Sequence, residues 1–148
     1  MTLIHKSGDL FTTKQSILAH GVNVRGVMGS GIAPFFARSY PKMLLAYKEA
    51  CRTGELVAGK TFLWDDEGGD TILNVASQHD TGRSARIEWL EDGMNDAITK
   101  LEELGEKDII IALPRIGCGI GGLDWNDVEP LLRNIAKTRS ITFEVWTL

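Results

Sequence analysis

The segment Leu113-Pro-Arg-Ile-Gly-Cys-Gly-Ile-Gly-Gly-Leu-Asp-Trp125 gathers the residues best suited to chemistry on a bound ligand. Gly117, Gly119, Gly121 and Gly122 fall within six positions. Glycine lets backbone N–H groups approach a ligand with no Cβ in the way. Ahead of them, Ile109 to Leu113 reads as a core strand; behind them, Trp125, Val128, Leu131, Leu132 and Ile135 recur at helical spacing. A strand, a glycine-rich turn and a helix make an anion cradle, because loose amides and the positive helix end point the same way. The same pattern also describes a tight turn that binds nothing. Pro130 limits the helix, since proline costs about 3 kcal/mol beyond a first turn. The helix is therefore expected to start near Asn126 or Asp127, either of which can cap it. Loop amides would then do more of the binding than the helix end.

A second glycine-rich loop, Gly21-Val-Asn23-Val-Arg-Gly26-Val-Met-Gly29-Ser-Gly31-Ile-Ala33, follows the apolar run Ser16 to His20. Around these two loops the chain must supply a scaffold. Leu3-Ile4-His5 is a short strand candidate, ended by Gly8 and Asp9. The stretch from Pro34 to Cys51 has mixed helical spacing, and Pro41 should divide it into two helices. Residues 60–64 and 71–76 read as neighbouring strands around a polar turn. Ile87, Leu90, Met94, Ile98, Leu101 and Leu104 mark an amphipathic helix that Ser84 can cap and Gly105 can end. Ile141 to Thr147 alternates as a closing strand. The order β-β-α-α-β-β-α-β-α-β gives a three-layer α/β/α sandwich over a mixed, mostly parallel sheet. Ligands of such sheets sit at loops leaving the strand ends, and both glycine loops leave strands that way.

One motif misleads. Gly54 and Gly59, followed by Lys60-Thr61, match the phosphate-loop pattern letter for letter. That loop requires an entering strand and a departing helix, whereas here a helical stretch enters and a strand leaves. Gly54 is better read as a helix end.

The chain of 148 residues is expected to form one domain, long enough to bury a core without disulfides or metal. An apolar fraction of 43% is that of a globular protein. No run approaches the ~20 apolar residues of a membrane helix, and the start lacks the pattern of a secretory signal. Cys51 and Cys118 suit reduced thiols and a cytoplasmic setting. With His5, His20 and His79 they form no metal-ligand pattern, so neither metal nor cofactor is expected. A net charge of −4 argues against a nucleic-acid binder. It leaves room for one small anion held by amides, in a monomer with no membrane partner.

Three segments together resemble the macrodomain family: Gly8-Asp9-Leu10-Phe11; His20-Gly-Val-Asn23 with Met28-Gly-Ser-Gly-Ile-Ala33; and Pro114-Arg-Ile-Gly-Cys-Gly-Ile120 ahead of Trp125. The likeness runs over essentially the whole chain and is greatest to the ADP-ribose 1″-phosphate phosphatases, with the terminal ADP-ribose protein glycohydrolases as near relatives. It implies that Asp9 accepts from the adenine amino group, with Gly8 and Leu10 beside it. Asn23 would bind the distal ribose, walled by Met28, Gly29, Ser30, Gly31 and Ile32. Arg115, Gly117, Cys118, Gly119, Ile120, Gly121, Gly122 and Leu123 would wrap the diphosphate. His20 matches a histidine of the phosphatase branch; with Asn23 and His79 it makes the expected catalytic set, His20 or His79 moving the proton because histidine titrates near neutral pH.

Departures from the family bear on mechanism. The glycohydrolase relatives use a lysine where this chain has Gln78 and His79, and an aspartate where it has Gly121. Lysine-mediated removal of ADP-ribose is therefore not expected. Many macrodomains carry an aromatic ring at the Gly121 position, so its absence should leave the pocket more open. Cys118 lacks the arginine six residues on that a cysteine phosphatase needs, Asp124 standing there instead. The expected activity is hydrolysis of ADP-ribose 1″-phosphate. The alternatives are a binding module without turnover and a hydrolase of ADP-ribosyl or O-acetyl-ADP-ribose esters.

Overall fold

The computed structural model describes all 148 residues. In chain order it contains β1 (Leu3–Ser7), a 3-10 turn (Leu10–Thr12), β2 (Ile17–Val22), α1 (Ala33–Ser39), α2 (Pro41–Thr53), β3 (Thr61–Asp65) and β4 (Thr71–Ala76). Then follow α3 (Ile87–Glu103), β5 (Ile110–Leu113), α4 (Trp125–Arg139) and β6 (Thr142–Thr147). The strands make one sheet ordered β1-β6-β5-β2-β4-β3. Neighbours run parallel except for the edge strand β3, which is antiparallel to β4. The central strands are buried on both faces, as a parallel sheet between helices requires; β4 has no exposed residue.

Side-chain alternation sorts the core into two layers. Ile17, Ala19, Leu73, Val75, Ile111, Leu113, Phe143 and Val145 pack with α3 and α4. Leu18, Val22, Ile72, Ala76 and Ala112 pack with α1 and α2, against Phe36, Met43 and Tyr47. The expected α/β/α sandwich is the one observed. Arg139 binds α4 to α3, donating to the Asn95 side chain at 2.8 Å and to Thr99 Oγ1 at 3.0 Å.

Local signals act largely where the sequence put them. Pro41 separates α1 from α2, and Gly54, at φ 79°, ends α2 in the left-handed region. Gly105, at φ 85°, closes α3 with Gly105 N–H donating to Glu102 O and Glu106 N–H to Leu101 O. The phosphate-loop look-alike holds no cradle: α2 leads into it, β3 leaves it, and the buried Thr61 hydroxyl donates to Gly93 O at 2.6 Å.

Three boundaries differ from expectation. Gly21 and Val22 belong to β2 rather than to the loop, because they continue its ladder with Val75 and Ala76. Ser84 does not cap α3; its hydroxyl donates to Asp80 O, and the helix starts at Ile87 with no side-chain cap. The last helix begins at Trp125, not at Asn126 or Asp127, because the Asp124 carboxylate accepts from Asn126 N–H at 2.9 Å. Pro130 then lies inside α4, where its missing N–H forfeits one bond to Asn126 O.

Gly93 in α3 shows how closely helix and sheet approach. A Cβ there would lie 2.8 Å from Val75 Cγ1 and 3.4 Å from Lys60 O. Helix propensity alone favours alanine by about 1 kcal/mol. We predict the opposite sign: Gly93→Ala destabilises by about 1 to 3 kcal/mol, read as a lower urea midpoint with unchanged slope.

Candidate functional site

The strand order sets β2 beside both β5 and β4, so the loops leaving their carboxyl ends meet over one edge of the sheet. Residues 23–32 leave β2, residues 77–86 leave β4 and residues 114–124 leave β5. Between them lies a cleft of about 220 Å³. That is below the ~300 Å³ usual for a whole drug-sized ligand, so a longer molecule must extend along the rim.

The walls are main chain. Gly117, Gly119, Ile120 and Gly121 line the cleft on one side, and Gly29, Ser30, Gly31 and Ile32 on the other. None of these eight amides donates to an acceptor within the protein. The loops also come close to touching, since a Cβ at Gly31 would sit 3.7 Å from Ile120 Cγ1. Among the lining residues only Arg115 carries a charge, and no carboxylate is present. The Arg115 guanidinium lies 5.3 Å from the centre of the Trp125 ring. An anion entering this cleft meets a double row of donors and no opposing charge.

The loops are braced from behind. Asn23 is nearly buried and lines the cleft. Its amide nitrogen donates to Val27 O at 2.9 Å, while its oxygen accepts from Arg25 N–H and from the Tyr47 hydroxyl, both at 3.0 Å. The opposite loop is closed by Leu123 N–H donating to Gly117 O at 2.9 Å. It is tied to the β4–α3 connection by Ala85 N–H donating to Gly121 O at 3.2 Å. Gly117 adopts φ 78°, and a Cβ there would meet Leu123 Cδ1 at 2.8 Å.

The two histidines assigned to proton transfer do not line the cleft. His20 is fully buried, on the sheet face covered by α1, with its ring stacked on Phe36 at 3.9 Å between centroids. His20 Nε2 lies 2.7 Å from Asn74 Oδ1. Asn74 donates its amide nitrogen to Phe62 O, which leaves Oδ1 as acceptor and puts the His20 proton on Nε2. Burial lowers its pKa from 6.5 to about 4, against a smaller raising effect of Asn74. His20 is a neutral core residue. His79 points away into solvent and lies 3.5 Å from Asp80. A hydrogen bond from Arg25 holds that aspartate below its ordinary range. Only the main chain of His79 serves the site, accepting from Val24 N–H.

Other expected residues divide by role. Leu10 and Met28 are core side chains, so they shape the wall from within. Cys118 turns inward, its thiol donating to Ile116 O, and burial pushes its pKa up to about 11. That disposition suits neither a nucleophile nor a phosphate contact. Gly8, Asp9, Gly122 and Leu123 lie outside the lining. Asp9 Oδ1 accepts from Phe11 N–H, capping the 3-10 turn on the exposed surface.

Gly121 corrects another expectation. A Cβ there would lie 2.8 Å from Gly117 O, 2.9 Å from Ala85 Cβ and 3.0 Å from Gln78 Oε1. The position faces the protein, so a ring would not fit without rebuilding the loop; glycine is needed for close packing rather than for an open pocket. Sequence reasoning missed Ser77 and Thr81, both in the lining. Their place just after β4 carries no signal by itself, since a strand-end hydroxyl has many ordinary uses.

The chain is similar in sequence and fold to known proteins. The macro domain family model matches residues 19–132. The DNA ADP-ribosyl glycohydrolase of Mycobacterium tuberculosis is 38% identical over 133 residues, which is 88% of this chain but 37% of that protein. The chain thus spans less than two fifths of that relative's length. The ADP-ribose 1″-phosphate phosphatase of Lodderomyces elongisporus is 27% identical, covering 100% of this chain and 99% of the relative. The solved structure of Thermosipho africanus DarTG in complex with ADP-ribose superposes with a TM-score of 0.84 at 26% identity, over 97% of this chain and 41% of that one.

The lowered His20 pKa makes a sign-specific prediction. The unfolded chain binds a proton at His20 near pH 6.5 and the folded chain only near 4. Stability is therefore full above about pH 6.5 and falls as the pH drops toward 4, by roughly 3 kcal/mol in all. His20→Phe should lose the Asn74 bond, about 1 kcal/mol at pH 7.5, and show a flatter stability profile between pH 6.5 and 4. Denaturant titrations across that range read the difference.

Proposed function

We propose that this chain, which belongs to the macro domain family, binds ADP-ribose in its glycine-walled cleft and hydrolyses ADP-ribose 1″-phosphate to ADP-ribose and phosphate. One observation carries the reading: eight residues whose amides have no intramolecular acceptor line one cleft that contains no carboxylate. A pyrophosphate satisfies such donors without any lysine. The terminal nucleoside would run out along the rim toward Gly8, Asp9 and Leu10, and the distal ribose toward Asn23. The phosphatase relative supports the choice of reaction, since it matches along its whole length. The complex with ADP-ribose supports the choice of ligand.

The chemistry needs little from side chains. Water attacks phosphorus, the bond from phosphorus to the 1″ oxygen breaks, and that oxygen leaves as the hemiacetal hydroxyl. The proton passes from water to the leaving oxygen. No side chain lining the cleft is a histidine, cysteine or carboxylate, so the substrate's own phosphate oxygens relay it. Amides in the cleft offset the charge on the phosphates. Two unpaired cysteines, Cys51 and Cys118, fit a cytoplasmic setting.

A second reading is removal of an ADP-ribosyl group from a macromolecule. It is favoured by the 38% identity to the DNA ADP-ribosyl glycohydrolase, and would bring a nucleic acid to the cleft despite the net charge of −4. It would proceed without the lysine and aspartate that the resemblance implies, Gln78 and Gly121 standing in their places.

Calorimetry with ADP-ribose should show one site per chain, and phosphate should be released from ADP-ribose 1″-phosphate. Gly119 provides a clean control, because a Cβ there meets no protein atom within 4 Å. Gly119→Val should keep the thermal midpoint while weakening ADP-ribose by at least about tenfold, a loss of about 1.4 kcal/mol. Unchanged affinity would contradict the cradle. The rate of phosphate release should follow a single substrate ionisation near pH 6, with the same profile in His79→Ala. A shifted profile would return the histidine to the mechanism. Binding without release from either the phosphate or an ADP-ribosylated oligonucleotide would mark a binding module.

A further inference from the structure

The β4 end holds a polar group that the rest of the fold does not use. Ser77 is fully buried, and its main chain is satisfied: Ser77 N–H donates to Val75 O, and Ser77 O accepts from Arg86 N–H. Its hydroxyl has no partner in the protein. A buried hydroxyl left without a partner costs stability, so a structural serine would be better replaced by alanine. The other buried orphan, His20 Nδ1, is sealed in the core, whereas Ser77 lines the cleft.

Gly21 gives a second, independent observation. It lies within the central strand β2, where glycine has no side chain to pack and signals close approach by another group. A Cβ at Gly21 would stand 2.7 Å from Ser77 Oγ, 3.4 Å from Ile116 Cγ1 and 3.7 Å from Gly117 N. Any side chain at position 21 would press on the Ser77 hydroxyl and fill the space beside the Gly117 amide. The glycine lets the Ser77 hydroxyl lie close against the β2 backbone at the cleft floor, on the side where the Gly117 amide stands. Asn23 and Gln78 flank this floor, and neither takes up the hydroxyl.

We infer that Ser77 is a substrate-contacting residue whose hydroxyl, together with the Gly117 amide, holds an oxygen of the ligand's distal ribose or of the group attached to it. The inference rests on the proposal that the cleft takes ADP-ribose. Ser77 fixes the half of the ligand that reacts, while the other amides of the glycine loops hold the diphosphate. Its chemistry is donation from a buried, desolvated site, which discriminates a ligand carrying that oxygen from one lacking it.

The test compares ADP-ribose with ADP, which lacks the distal ribose, in the full chain and in Ser77→Ala and Ser77→Cys. Wild type should bind both ligands. Each variant should weaken ADP-ribose about five- to tenfold, leave ADP unchanged, and show a thermal midpoint equal to or above wild type. That combination is one a structural serine cannot produce. Equal losses for both ligands, unchanged affinity for both, or a lowered midpoint with proportional loss of binding would overturn the assignment. If the wild-type chain binds neither ligand, the ADP-ribose reading itself has failed, which is a different result from a variant that binds as wild type does. Gly21→Ala should reproduce the selective loss of ADP-ribose.

Discussion

The structure depends on keeping two runs of backbone amides unpaired in the loops that wall one cleft. A main chain normally satisfies its own N–H groups, and the loops after β2 and β5 leave eight of them without an internal acceptor. Adjacent parallel strands make this possible. Leu18 of β2 pairs with Ala112 of β5, so both strands end at the same edge and both loops leave from it. The sheet therefore decides the distance between the donor rows, and the glycines decide how near a ligand can come to either.

Such an arrangement works only if the loops are stiff, because an anion must find its donors already placed. Asn23 uses both ends of its amide to hold the first loop, and the Tyr47 hydroxyl of α2 reaches across to fix it at Asn23 O, 2.7 Å away. Gly121 is held by Ala85 and crowded by Gln78. The residues near the cleft that look reactive are mostly occupied in this bracing. His20 fills the core, Cys118 faces inward, and His79 lends a carbonyl. What the cleft retains is two rows of neutral main-chain donors, one arginine and the hydroxyl-bearing residues Ser30, Ser77 and Thr81. That is an environment for charge stabilisation more than for proton shuttling.

Much of this was legible in the sequence, for physical reasons. Periodicity marks helices and strands because burial imposes it, so the element order and the sandwich followed from Ile87 to Leu104 and from the β-rich runs. Pro41, Gly54 and Gly105 act through their own backbone limits and needed no tertiary context. Two glycine loops after strands pointed to one cleft because strand ends share an edge. Features set by contacts between distant segments were not legible. The burial of His20 depends on Phe36 of α1 covering it, and that packing lies 16 residues away in sequence. The crowding at Gly121 comes from Gln78 and Ala85 on another loop. Asp124 displaced the expected caps of α4 because carboxylate geometry, not residue type, selects among neighbouring candidates. Ser77 was silent because a serine at a strand end says nothing until its partners can be counted.

In this structure the ligand is to be gripped by main-chain amides that can be named one by one. A nitrogen-resolved NMR titration of the labelled chain with ADP-ribose addresses those atoms one by one. The amides of Gly29, Gly31, Gly117, Gly119, Ile120 and Gly121 should show the largest shifts and saturate together with one affinity. Largest shifts outside both glycine loops, or loop amides that stay in place while ligand binds, would contradict a main-chain cradle.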